Sequence, residues 1–340
     1  MRSATLWLLL QIVTIFQIAT AQNATNKCPT LPTTKVLMNF SKEFVDTATE
    51  AMQLNIWASE SVSGPIELLI EDLQKFYDFF EGFSDVDDQV VVAKPFDQDI
   101  CYGVFAPTHL ANPLDLVWQN LNPLFRIMEG TNCWVRRSFY NAYFSRSYFD
   151  EFNDALHRCL GSCRTDMSSK PCDLVLTGYS QGAALAVIGS IVWATYHPLV
   201  LTYGSTQAIV RVPLLDIGTC DQFEADNHYL FVNVINGYYD RVAMQPSPFF
   251  GRHIGHLLLL DETNHVVGYP GFNAGKHCRA PLSYTAHYPY YYLERLQFLK
   301  ERGCFPVPVA KWPAGHRCNY DDECDSLHCR KLPFLFGECK

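Results

Sequence analysis

Positive charge is in short supply. The chain has 26 Lys and Arg against 35 Asp and Glu, a formal net charge of −9. That leaves no electrostatic basis for gripping a phosphate backbone, so no nucleic-acid partner is expected. Long apolar runs are missing beyond the N-terminus. None approaches the ~18 uninterrupted apolar residues that a spanning helix needs, so no transmembrane segment is expected. Also absent is any Cys-x-x-Cys pair, which weighs against a zinc site, and no metal or organic cofactor is expected. What the chain does have is apolar and aromatic mass: 48% and 14% of 340 residues. That is enough to fill the core of one large domain or two ordinary ones.

Arg2 precedes an apolar run from Leu6 to Ile18, and Ala19-Thr20-Ala21 follows. A short positive region, an apolar core and a small-x-small site make a secretory signal peptide, residues 1–21. Thirteen cysteines, all after this segment, fit an oxidising compartment, and secretion is expected. The odd count leaves at least one cysteine free or paired between chains. Asn23-Ala-Thr and Asn39-Phe-Ser are glycosylation acceptors. From Pro313 the composition changes: Cys318, Cys324, Cys329 and Cys339 crowd a short polar stretch. Residues 313–340 read as a small cystine-stapled appendage to a main domain of 22–312.

One stretch organises the main domain. Leu174-Val-Leu-Thr177 is a buried strand, Gly178-Tyr-Ser-Gln-Gly182 a sharp turn, and Ala183 onward a small-residue helix. Gly-x-Ser-x-Gly by itself is a weak signal. Between a strand and a helix it is a nucleophile elbow, which projects Ser180 from a strained backbone position. The Gln181 N–H then lies at a helix N-terminus, where it can bind a developing oxyanion.

The remaining pattern alternates short β-rich runs with helices. Residues 35–60 and, more clearly, 65–82 carry apolar residues at helical spacing. Val90–Ala93, Ile100–Phe105, Leu199–Tyr203, Tyr229–Ile235 and Ile254–Leu260 read as strands, 138–160 as helical, and Tyr284–Leu299 as a segment holding His287 and then a helix. This implies an α/β fold with a mostly parallel central sheet and helices on both faces. In such sheets reactive groups gather beyond the strands' C-terminal ends; Thr108, Ser180 and Asp240 all follow such ends.

A serine nucleophile needs a base to take its proton and an acid to orient that base. On an elbow fold the order is Ser, then Asp or Glu, then His. Asp240, just after a strong strand, is the preferred acid, with Asp216 and Asp261 as alternatives. A histidine after the last strand leaves His265, His277 and His287 as bases.

At these residues the chain resembles the fungal-type, or class 3, lipase family of α/β-hydrolases. The likeness runs from about Asp99 to Arg295. Leu174 to Ala186 is similar to the family's elbow block, with Gly178-Tyr-Ser-Gln-Gly-Ala183 standing for G-H-S-L-G-G. Val135-Arg-Arg-Ser-Phe-Tyr-Asn-Ala-Tyr143 resembles its V-H-x-G-F-x-x-A-Y block, and Thr202-Tyr-Gly-Ser-Thr-Gln207 its T-F-G-x-P-R. Val232 to Asp240 resembles its strand-then-Asp block, His253-Ile-Gly255 its non-catalytic H-x-G, and His287-Tyr-Pro-Tyr290 its terminal H-x-x-Y. The resemblance selects His287 over His265 and His277. It makes Thr108, in Phe105-Ala-Pro-Thr108, the second oxyanion residue beside Gln181, and 109–128 a lid with Trp118 and Leu121 on its apolar face. It also suggests a Cys28–Cys304 disulfide. The departures, Ala106 and Pro107 for Arg and Gly, Tyr179 for His and Ala183 for Gly, bear on oxyanion geometry and substrate preference.

The resemblance implies a secreted serine ester hydrolase acting on acylglycerol-type lipid esters at a lipid–water interface. A non-lipid carboxylesterase, such as a feruloyl esterase, would carry the same constellation. A catalytically silent secreted lipid-binding protein would need the same scaffold without the chemistry.

Overall fold

Strand Ile100–Phe105 (β3) is buried along nearly its whole length, and its side chains alternate between two apolar clusters. Cys101 and Phe105 enter one, Tyr102 and Val104 the other. The period of two marks a strand covered on both faces. The computed structural model describes residues 42–61, 74–84, 89–107, 124–145, 147–163, 171–210, 220, 223, 231–236, 240, 242–244, 251–260, 266–269, 287–302, 307–308, 317–318, 329–330 and 337–339. Every described residue belongs to the compact unit Leu31–Lys340.

In chain order the first elements are helix α1 (Lys42–Ser61) and strands β1 (Tyr77–Ser84), β2 (Gln89–Pro95) and β3. Then come β4 (Phe125–Ile127), β5 (Trp134–Arg136), α2 (Arg137–Phe144), α3 (Phe149–Ser162), β6 (Asp173–Tyr179) and α4 (Gln181–Val192). Strands β7 (Leu199–Tyr203), β8 (Ile209–Val210), β9 (Phe231–Asn236), β10 (Gly251–Arg252), β11 (His256–Leu260) and β12 (Val266–Tyr269) precede helix α5 (Pro289–Arg302) and strand β13 (Val307–Pro308). Last are β14 (Arg317–Cys318), β15 (Cys329–Arg330) and β16 (Gly337–Cys339).

A nine-stranded sheet runs β1-β2-β3-β6-β7-β9-β11-β12-β13. Its centre, from β3 through β11, is parallel, whereas β1/β2, β2/β3 and β11/β12 are antiparallel. Helices α2, α3 and α4 share one apolar cluster with the sheet, and α1 and α5 share the other. A second sheet, β10-β8-β5-β4, is antiparallel. Strands β14-β16-β15 pair only with one another among the described residues.

Two expectations need correction. The helix read over 65–82 is wrong where it can be compared: Tyr77–Ser84 is a strand, and 62–73 lie outside the described residues. Tyr77 and Phe80 are buried, but Phe76, on the supposed helical stripe, is 67% exposed. Aromatic residues suit a pleated surface, and pairing along all of β2 satisfies the backbone, so tertiary contact overrides the apparent helical period. The helix read over 138–160 is two helices, broken after Phe144. Ser145 closes the first by donating its N–H to the Asn141 carbonyl.

Among the described residues three disulfides tie the layers together. Cys101–Cys159 joins β3 to α3, Cys163–Cys172 joins the end of α3 to the start of β6, and Cys133 near β5 joins Cys220. Among the described residues no helix is long and apolar enough to cross a membrane.

Candidate active site

Parallel register brings three chain segments to one edge of the sheet. Phe105 at the end of β3 lies beside Gly178, and Tyr179 at the end of β6 lies beside Tyr203 at the end of β7. Immediately after β6, Ser180 has φ 58° and ψ −121°, a conformation that L residues rarely adopt, and α4 begins at Gln181. The Ser180 N–H donates to the Tyr203 carbonyl at 2.9 Å, which pins the strained residue to the neighbouring strand. The glycines make the turn feasible: a Cβ on Gly178 would meet the Gly182 carbonyl oxygen at 2.2 Å, and one on Gly182 the Phe105 carbonyl oxygen at 2.0 Å. Helix α4 is therefore clamped against β3, with every residue from Gln181 to Ile191 buried.

Asp240 and His287 meet at this edge. His287 Nε2 lies 2.9 Å from Ser180 Oγ, and His287 Nδ1 lies 2.9 Å from Asp240 Oδ2. A carboxylate only accepts, so Nδ1 carries the proton and Nε2 is free to accept the serine proton. Asp240 is fully buried, and the His287 side chain is 13% exposed. Burial pushes the Asp240 carboxyl upward, but His287, the Tyr292 hydroxyl and the Val242 N–H outweigh it and hold the group below the usual carboxylate range. Its Oδ1 accepts the N–H groups of Val242 at 2.9 Å and Ala243 at 3.4 Å, and Tyr292 donates to Oδ2. His253 Nε2 donates to the Ala243 carbonyl at 2.9 Å and thus holds the turn that supplies those N–H groups. Burial lowers the His253 pKa, which keeps it a neutral donor.

Of the residues singled out from sequence, Ser180, Asp240 and His287 converge, and Gln181 opens the helix beside the serine. Thr108, Asn23, Asn39, Cys28, Cys304, most of 109–128 and the alternatives Asp216, Asp261, His265 and His277 lie outside the described residues. Of the expected lid only its end is described, where Leu124, Phe125 and Ile127 are exposed on and beside β4.

The roles of three contributors escaped the sequence reading. Tyr292 looks like one more apolar position on a helical stripe, yet its hydroxyl reaches Asp240. A fully buried tyrosine needs such a partner, which is the signal that could have marked it. Tyr179 stacks on His287, with centroids 4.8 Å apart and planes at 26°, and donates its hydroxyl to the His287 carbonyl. Gly204 has φ +55°, and a Cβ there would lie 2.7 Å from Asp240 Oδ2 and 2.8 Å from His287 Nδ1. The acid and base sit directly against bare backbone.

No model of a known protein family matches the chain, and no curated protein does. Solved structures do. The chain is similar to a triacylglycerol lipase described as having a serine-protease triad as its catalytic centre, at 14% identity and a TM-score of 0.57, over 74% of this chain and 95% of that one. A lipase from Rhizopus microsporus var. chinensis matches at 13% identity and 0.54, over 78% and 92%. The triacylglyceride lipase of Rhizomucor miehei matches at 13% and 0.52, over 74% and 95%. At such identity the likeness defines the fold: this chain has the α/β-hydrolase fold in the form found in fungal triacylglycerol lipases.

Proposed function

We propose that the protein is a secreted serine ester hydrolase of lipase type, acting on acylglycerol-type lipid esters. The observation that carries this is the Ser180–His287–Asp240 chain of contacts, each 2.9 Å, built on a strained elbow. Ser180 Oγ attacks the ester carbonyl carbon while its proton passes to His287 Nε2. The tetrahedral intermediate collapses, the C–O bond to the alcohol breaks, and the leaving oxygen takes the proton from His287. Water then attacks the acyl-Ser180 ester and gives a proton to His287. The second collapse returns that proton to Ser180 and releases the carboxylic acid. Asp240 holds His287 in the working tautomer and stabilises the imidazolium formed in each half-reaction.

The Gln181 N–H and Thr108 are assigned to the oxyanion, each donor contributing about 3–4 kcal/mol to transition-state stabilisation. Preference for a lipid ester rests on the fold's likeness to triacylglycerol lipases and on the exposed apolar residues at the end of the expected lid. Secretion rests on the signal-like N-terminus and on three disulfides. Within this reading Asn23 and Asn39 carry glycans, Cys28 pairs with Cys304, and 313–340 is an appendage to the catalytic domain.

The test is hydrolysis of a chain-length series of p-nitrophenyl and glycerol esters by the wild type and Ser180→Ala. Activity that rises when substrate forms an interface, and that disappears in the variant, supports the proposal. Saturation on soluble esters alone would reassign the protein as a non-lipid carboxylesterase. Full activity in the variant would remove Ser180 from the mechanism.

A further inference from the structure

His287 lies two residues before Pro289, the first residue of α5. Proline has no N–H to donate, and the Tyr291 N–H bonds the Tyr288 carbonyl. The His287 carbonyl is held from across the site. Tyr179, the last residue of β6 and the immediate neighbour of Ser180, donates its hydroxyl to the His287 carbonyl. The Tyr179 ring lies nearly parallel to the imidazole, with centroids 4.8 Å apart. Behind it the edge of Tyr292 packs at 6.2 Å and 67°, and Tyr203 backs Tyr292 at 6.1 Å and 81°. Tyr203 is in turn fixed by donating to the Ala48 carbonyl of α1 at 2.6 Å. A rigid aromatic stack thus reaches from the helix layer to one face of the base.

We propose that Tyr179 is a positioning residue for ester hydrolysis: it sets the distance between Ser180 and His287 by holding the base's main chain and ring from the strand that also carries the nucleophile. The inference rests on the ester-hydrolase reading for its kinetic consequence, though not for its geometry. Because Ser180 and Tyr179 are consecutive, any movement of the elbow carries the base's anchor with it, so the 2.9 Å separation is set by one short piece of backbone. The hydroxyl is suited to the task. Burial, reinforced by the charge of Asp240, raises its pKa and keeps it a protonated donor. The ring adds an effect that grows along the reaction. The π face of a tyrosine attracts a cation, and the imidazole becomes an imidazolium at each tetrahedral intermediate. An interaction stronger in the transition state than in the ground state raises kcat more than it changes KM.

The experiment compares Tyr179→Phe, which keeps the ring and loses the hydroxyl, with Tyr179→Leu, which loses both. Steady-state kinetics on a soluble p-nitrophenyl ester should show kcat falling about tenfold in the first and up to about a hundredfold in the second, with KM within about twofold of wild type. A second arm needs no substrate. The low-field proton of the His287–Asp240 hydrogen bond, followed by NMR in the folded enzyme, should broaden or shift in Tyr179→Leu. Wild-type kcat in both variants, or a loss confined to KM, would overturn the assignment, the latter making Tyr179 a substrate contact instead. An unchanged low-field proton in folded Tyr179→Leu would overturn it even if the wild type proved to hydrolyse no ester. If Tyr179→Leu does not fold, Tyr179→Phe still decides between the outcomes.

Discussion

At the residue scale, the site depends on two side chains and one missing one. Tyr292 gives the buried Asp240 carboxylate a hydrogen bond beyond those from His287, Val242 and Ala243. Replacing it with Phe keeps the ring and removes a bond to a charged acceptor, worth about 1.5–3 kcal/mol. We expect kcat to fall about tenfold in Tyr292→Phe, with KM little changed, in steady-state assays. Gly204 is the missing side chain. Gly204→Ala would drive a methyl group to 2.7 Å from Asp240 Oδ2 at φ +55°. Both the clash and the left-handed backbone are unfavourable, so a lower thermal midpoint and more than about a hundredfold loss of activity are expected. Ser180 was legible because a strand, a serine between glycines and a small-residue helix follow one another in the chain. Asp240 was the preferred acid from its strand, but His287 could be chosen only with the help of a resemblance. Tyr292 and Gly204 were not legible. A hydroxyl's partner 52 residues away leaves no local pattern, and a glycine after a strand looks like any other turn.

At the element scale, the elbow is a tight junction between helix and sheet. Helix α4 can lie on β3 only because residue 182 has no side chain, so Gly182→Ala, with its Cβ at 2.0 Å from the Phe105 carbonyl oxygen, must displace backbone. We expect about 3 kcal/mol of destabilisation in urea unfolding, near the upper end for overpacking. The turn after β9 makes a pH prediction. Burial lowers the folded pKa of His253, and in the unfolded chain the group titrates near about 6.5. Between those values the unfolded chain binds the extra proton, so stability falls as pH drops below about 6.5. Asp240, also lowered, extends the loss below its unfolded value of 3.8. His253→Gln should flatten the first part of that decline, measured as unfolding free energy from pH 7 to 5. The strands Ile100–Phe105 and Leu199–Tyr203 were readable because fully buried parallel strands are continuous apolar runs. Tyr77–Ser84 was not, since a half-exposed edge strand rich in phenylalanine also fits a helical stripe. What decides it is pairing with β2, a property of the sheet and not of the segment.

At the scale of the whole molecule, disulfides bind the helical layer to the sheet on the α3 side. Cys101–Cys159 closes a separation of 58 residues, and Cys163–Cys172 one of nine. Cysteine count and spacing suggest an oxidising compartment but not these partners, because connectivity depends on which strand α3 covers. Removing the first bridge by a Cys101→Ala, Cys159→Ala pair should cost about 2–5 kcal/mol, read from chemical denaturation against the wild type. Peptide mapping under non-reducing conditions should recover both pairings. Ser180 Oγ, with His287 Nε2 2.9 Å away, is the proposed nucleophile. Treatment of the intact protein with a long-chain alkyl fluorophosphonate tests it most directly, with mass spectrometry of the peptide containing Gly178–Gly182 alongside residual esterase activity. One adduct per chain is expected, on Ser180, formed in step with the loss of activity. Complete labelling elsewhere, or activity that survives full modification of Ser180, would contradict it.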